Sequence, residues 1–154
     1  METETYNGKI DQACHTHPAN KSNWKAQTLH NCGGYTYVYL IIVSSLEKDP
    51  QGVLIRAVEL LDSHTIPVIF PNRKNQKIHY YTNGPGKLCR ALNIDNSLNN
   101  VDLTTSNLIY LEDRPKVNQK EFVATKRINI DYAGKDKDRL WRFYIKNNLF
   151  ISKK

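Results

Sequence analysis

At 154 residues, 40% of them apolar and 10% aromatic, the chain is sized for one domain with a modest core, and its composition excludes a disordered tail. A net charge of +7 favours a polyanionic partner, since a Lys or Arg set on a phosphate releases condensed counterions, although charge scattered over a basic globule gives the same sum. Cys14, Cys32 and Cys89 are widely spaced, odd in number and without a CxxC pair, which suggests neither a disulfide framework nor a zinc site and fits a reducing compartment.

The first chemistry-bearing stretch is Glu2-Thr-Glu-Thr-Tyr6, followed by Ala13-Cys-His15, with Gly8 as the expected turn between them. A carboxylate orients and deprotonates a water, and a tyrosine with a histidine sandwiches a flat heterocycle. The same residues also suit a Tyr6 packed in the core beside a solvated Glu4. Residues 16–34 are rich in Asn, Lys, His and Gly and read as a long surface loop.

Residues 35–45, β-branched and aromatic, predict a buried strand. The turn chemistry of Glu47-Lys-Asp-Pro-Gln-Gly52 precedes a second strand over 52–60, so the two are expected to pair as a hairpin. Arg56 stands among apolar neighbours within that strand. A buried guanidinium needs a partner, and Glu4 is a candidate. Residues 62–82 read as irregular and include the basic Arg73-Lys-Asn-Gln-Lys77. The stretch 84–92 reads as a helix with Leu88, Ala91 and Leu92 on one face, and residues 108–111, 124–130 and 141–145 read as strands. Several strands with few helices predict an α+β single domain, residues 1–154, with a curved, mostly antiparallel sheet and few peripheral helices. The longest apolar run, residues 38–43, is strand-sized, and no secretory h-region is present, so neither a membrane span nor secretion is expected.

Five stretches together resemble the alkyladenine (3-methyladenine) DNA glycosylase family of human type, and they occur in the family's order. They are Glu2-Thr-Glu-Thr-Tyr6 with Ala13-Cys-His15; Tyr37-Val-Tyr-Leu-Ile41; Val53-Leu-Ile-Arg-Ala57; Asn83-Gly-Pro-Gly-Lys-Leu-Cys89; and Arg127-Ile-Asn-Ile130 through Leu140-Trp-Arg-Phe-Tyr144. The resemblance implies a monofunctional base-excision enzyme. Such an enzyme flips an alkylated or deaminated purine, 3-methyladenine or hypoxanthine, out of duplex DNA and hydrolyses its N-glycosidic bond with a Glu-activated water. On this resemblance Glu4 activates the water, Arg56 helps hold it and the carbonyl of Ile128 accepts from it. Tyr6 and His15 match the stacking pair, Tyr39 the third wall and Leu54 the apolar lining. Lys87 and Arg127 match DNA-phosphate contacts. No metal or organic cofactor is implied. The expected partner is double-stranded DNA carrying a damaged purine, bound by a monomer in the cytoplasm of a bacterium or the nucleus of a eukaryote.

The resemblance also implies segments that this sequence does not contain. One is a strand and helix ahead of Glu2. The other is a Tyr-Gly-Met segment after Ile41, which in the family carries the tyrosine that fills the gap left by the flipped base and the asparagine that rejects guanine. Losing the first predicts an unpaired sheet edge. Losing the second raises the alternative of a catalytically impaired relative that only binds DNA.

Overall fold

A computed structural model describes residues 1–14, 17, 39–44, 51–61, 76–99 and 101–153. The predicted loop at 16–34, the beginning of the predicted strand at 35–45 and most of the basic stretch at 73–77 lie outside the described residues. Among those described, five strands form one antiparallel sheet: β1 (Glu2–Tyr6), β2 (Ile41–Ser44), β3 (Gln51–Ala57), β4 (Phe122–Thr125) and β5 (Arg142–Ile145), in the order β2-β3-β1-β5-β4. One α-helix, α1 (Pro85–Ala91), accompanies short 3-10 turns, so the α+β class stands. No helix among the described residues is long and apolar enough to cross a membrane.

The centre of the sheet is β1. Its Thr-Glu-Thr-Tyr sequence suits a strand because β-branched and aromatic side chains fit a pleated surface. With β3 on one side and β5 on the other, it offers no open edge; the edges are β2 and β4. Its alternation is inverted relative to an ordinary half-buried strand, for the two residues fully buried are Glu2 and Glu4. The predicted hairpin is present, with Ile41 opposite Leu54 and Val43 opposite Gly52. In the register of β1 with β3, Glu2 faces Ala57 while Thr3 faces Ile55. Arg56 is therefore the extra residue of a β-bulge; alternation from Leu54, the partner of Glu4, sets its side chain on the Glu2–Glu4 face, and the bulge leaves it without a partner across the ladder.

Two sequence expectations are corrected. Residues 108–111 form no strand: Leu108, Tyr110 and Leu111 are exposed, and Ile109 alone packs against the core. The strand expected at 124–130 is β4, displaced toward Phe122, and it ends at Thr125. Beyond it Arg127 is tied to Asp11, and Asn129 turns the chain with a φ of 59°.

The apolar core lies between α1 and the sheet, where Leu40, Ile55, Leu88, Cys89 and Ile94 are buried together. Burial pushes the Cys89 thiol up to about 11, so it fills space as a neutral side chain at neutral pH. A smaller cluster of Ala13, Ile130 and Ala133 packs against Tyr6. An ionic clamp seals this second cluster. Arg127 donates to both Asp11 oxygens at 2.6 and 2.8 Å and to the carbonyl of Thr5 at 3.0 Å. Asp136 accepts from the Gln12 amide at 3.1 Å and from Arg139 Nε at 2.6 Å. Gly134 is required in this turn: its φ is 52°, and a Cβ there would stand 2.3 Å from Gln12 Oε1.

Leu88 is wholly enclosed between α1 and β3, so Leu88→Ala is expected to cost about 2–5 kcal/mol, read as a lowered urea midpoint with an unchanged slope. The Asp136 carboxyl is held below its ordinary value of 3.8, first by the Arg139 hydrogen bond and then by the Gln12 amide, against the opposing effect of burial. A carboxyl whose folded value lies below its unfolded value stabilises above the unfolded value, and that stability is lost as pH falls through the folded one. Asp136→Asn is therefore expected to be less stable than the native chain at pH 7, with the gap closing below about pH 4 in acid-denaturation curves. A gap that stays constant with pH would exclude this carboxylate as a source of acid sensitivity.

Candidate active site

Glu4 sits at the middle of β1, opposite Leu54 on β3 and Arg142 on β5, and it is completely buried. An ionised carboxylate tolerates such burial only when its oxygens are bonded. Oε1 accepts the backbone N–H of Ile128 at 2.8 Å. Oε2 accepts the Tyr6 phenol at 3.0 Å and Arg56 Nη1 at 3.2 Å. A carboxylate offers roughly four lone-pair sites, so these donors fix its plane and leave about one site for a further donor.

Each of these donors is placed by local structure. Arg56 reaches Glu4 from the bulge of β3. Its Nε donates to Ser152 Oγ at 3.2 Å and stands 3.4 Å from Glu2 Oε1, so the guanidinium bridges the two glutamates. Glu2 in turn accepts Arg142 Nε at 2.7 Å and Ser152 Oγ at 2.8 Å, and it takes a short hydrogen bond from the Ser152 amide. Tyr6, two residues beyond Glu4 on the same strand face, is half-buried. Burial first, and then the charge of Glu4, push its phenol far above the ordinary range, so it acts only as a neutral donor. Its ring carries the Arg127 guanidinium 4.8 Å from the centroid, and the Trp141 ring lies 5.0 Å from the same guanidinium. Ile128 is presented by the turn at Asn129.

The structure thus brings Glu4, Tyr6, Leu54, Arg56 and Ile128 together, with Leu54 buried directly across from Glu4. Ile128 meets Glu4 through its N–H. Tyr39 is half-buried just before β2. The Leu40 carbonyl accepts the Ile55 N–H at 2.9 Å, and continuing that register sets Tyr39 across from Arg56. His15 lies outside the described residues. Lys87 is exposed on the first turn of α1, where its Nζ donates to Asn83 Oδ1 at 2.8 Å and lies 5.9 Å from the Tyr80 ring centroid. That helix packs on the sheet face of Ile55, the face opposite Glu4, so Lys87 stands apart from the carboxylate.

Arg127 is corrected. Its side chain is fully buried in the Asp11 ion pair and against two rings, which leaves no charge presented to a phosphate. Sequence reasoning missed Glu2, Arg142 and Ser152. Glu2 had a signal, because residues i and i+2 of a strand share a face, so a strand that buries Glu4 also buries Glu2. Ser152 had none, since it reaches Glu2 through the return of the chain end, where Phe150 and Ile151 are buried. Among the described residues, no group of three or more His, Cys, Asp or Glu converges as metal ligands do.

The sequence model described as Methylpurine-DNA glycosylase matches residues 1–149, a span that holds every residue of the Glu4 cluster except Ser152. Relatives from Natranaerobius thermophilus, Clostridium novyi and Borrelia garinii subsp. bavariensis each carry the name "Putative 3-methyladenine DNA glycosylase". They are 39%, 42% and 39% identical to this chain, over 99%, 100% and 100% of its length and 80%, 82% and 81% of theirs. The Clostridium novyi alignment runs over 170 positions against 154 residues here, so that relative has residues without a counterpart in this chain. With both the ordered motifs and nearly the full length aligned, the chain belongs to the methylpurine-DNA glycosylase family.

Proposed function

We propose that this chain is a DNA repair glycosylase that removes an alkylated or deaminated purine, 3-methyladenine or hypoxanthine, from duplex DNA by hydrolysing the N-glycosidic bond. The observation that carries the reading is the fully buried Glu4, gripped on both oxygens by Ile128, Tyr6 and Arg56. Three donors orient its plane, and they leave a lone-pair site on which a water can be held.

In the proposed mechanism the damaged base leaves the stack and enters a pocket whose walls, on the family resemblance, are Tyr6, Tyr39 and His15, with Leu54 as its apolar lining. Aromatic faces attract a positively charged alkylpurine by roughly 0.5–2 kcal/mol. A water on the remaining lone-pair site of Glu4 gives up its proton to the carboxylate as it attacks C1′. The Ile128 carbonyl and Arg56 orient that water. As the glycosidic bond stretches, the sugar takes on oxocarbenium character, and the negative carboxylate stabilises it. The base departs assisted by its own charge or by protonation. Water is the nucleophile, so no Schiff-base lysine takes part. Lys87, exposed and away from Glu4, serves as a phosphate contact.

One observation favours a second reading, a relative that binds DNA without turnover. Ile41 and Ile42 are already the first residues of the edge strand β2, and the alignment with the Clostridium novyi relative extends over more positions than this chain has residues. Turnover separates the two readings, and DNA binding does not.

Glu4→Gln keeps the shape and removes the base, so single-turnover release of hypoxanthine is expected to fall about 10²–10⁴-fold while DNA binding persists. Equal rates for variant and native chain would exclude Glu4 as the water-activating group, and no release from a folded, DNA-binding native chain would leave the second reading. Lys87→Ala is expected to weaken binding to damaged and intact duplex alike and to lower the salt-dependence slope by about one. An unchanged slope would remove Lys87 from the phosphate contacts.

A further inference from the structure

We propose that Glu2 is a positioning residue of this site: it holds the Nε edge of Arg56 so that the Nη1 edge stays on Glu4. The inference rests on the reading of Glu4 as the water-activating carboxylate, but it concerns a residue to which the family resemblance gives no role.

The geometry carries it. Arg56 lies at a bulge on the face it shares with Leu54 and Glu4, with no partner across the ladder, so the position of its guanidinium is set by what it meets. It meets two carboxylates from the same face of β1, Glu4 at Nη1 and Glu2 at Nε, with Ser152 Oγ between Nε and Glu2. A planar guanidinium held at two separate edges cannot rotate out of plane without breaking one of them. Glu2 is itself immobilised by Arg142 from β5 and by the Ser152 amide and hydroxyl. The cluster holds two anions, Glu2 and Glu4, and two cations, Arg56 and Arg142, so its charges balance as a unit and each ion depends on the others. Removing the Glu2 charge leaves the Nε edge of Arg56 held only by the Ser152 hydroxyl. It also frees Arg142 to turn toward Glu4, its register partner.

A double-mutant cycle in single-turnover hypoxanthine release tests this, together with NMR of the Arg56 side chain. Glu2→Gln is expected to slow release tenfold to a hundredfold, with little change in the Kd for lesion duplex. In an Arg56→Gln background the same change is expected to have almost no further effect, because Glu2 acts through Arg56. Full additivity would overturn the inference and leave Glu2 a general support of the sheet. Slowed exchange of the Arg56 guanidinium protons is expected in the native chain and its loss in Glu2→Gln; equal exchange in both overturns the inference whether or not the protein turns over. Should Glu2→Gln not fold, Ser152→Ala removes the hydroxyl link with the charges intact. It is expected to slow release severalfold and to speed Arg56 exchange, and an unaltered exchange rate would overturn the inference. Failure of the glycosylase reading has a different signature: Glu4→Gln as active as the native chain, or a folded native chain without turnover, with the Arg56 exchange result standing by itself.

Discussion

The constraint on which the structure depends is the removal of two carboxylates and two guanidiniums from water on one face of one sheet. Each such ion, buried alone, is penalised by several kcal/mol, and breaking one partner out of a buried pair costs about 3–5 kcal/mol. Glu2 and Glu4 are wholly enclosed, and Arg142 and Arg56 nearly so. The surrounding architecture reads as the set of conditions that make this burial tolerable. β5 must register Arg142 opposite Glu4, β3 must bulge at Arg56, and the chain end must return to offer Ser152 to Glu2. None of these features can shift by a residue without leaving a charge unpaired.

The two faces of the sheet divide the labour. On one, Ile55 packs under Leu88 and Cys89 of α1 and supplies ordinary apolar stability. On the other, the ionic cluster contributes little net stability for the area it covers, because desolvation offsets most of its Coulombic gain. What it contributes is orientation: a carboxylate bonded on both oxygens has one plane and a defined unused direction. Substitutions on the two faces therefore fail differently: Leu88 loses folding free energy alone, whereas Arg56 loses the orientation of Glu4 as well, because two buried carboxylates are left short of a partner.

How much of this the sequence disclosed follows from the kind of signal each residue carried. The Glu4–Arg56 pair was legible because an arginine inside an apolar run demands an anion, and Glu4 was the candidate among the early carboxylates. The hairpin of β2 and β3 was legible from β-branched runs on either side of the turn chemistry at 47–52. β1 itself was not read as a strand, because its period of two runs between charged and hydroxylic residues, and hydrophobic patterning looks for the reverse. Leu108, Tyr110 and Leu111 misled in the opposite sense, with strand-like composition in an exposed stretch that forms no strand. Arg127 read as a surface cation because its partner, Asp11, is 116 residues away in the chain. Long-range ion pairs carry no local pattern, so the sequence shows the charge and hides whether it is spent internally.

That internal pairing bears on how Tyr6 can work. One ring face is taken by the Arg127 guanidinium, so in the proposed glycosylase the base stacks on the other. A cation behind the ring would ordinarily weaken its attraction for a positively charged purine, since both draw on the same π density. Here the bidentate Asp11 pair neutralises Arg127, and Trp141 shares its contact. The guanidinium then acts mainly as a flat, rigid backing for the ring. The Tyr6 hydroxyl is committed to Glu4, which fixes the ring along its long axis as Arg127 fixes it face-on. A tyrosine held in both directions loses little conformational entropy when a base arrives, and in the proposed glycosylase it ties the stacking wall to the water-activating carboxylate by a single hydrogen bond.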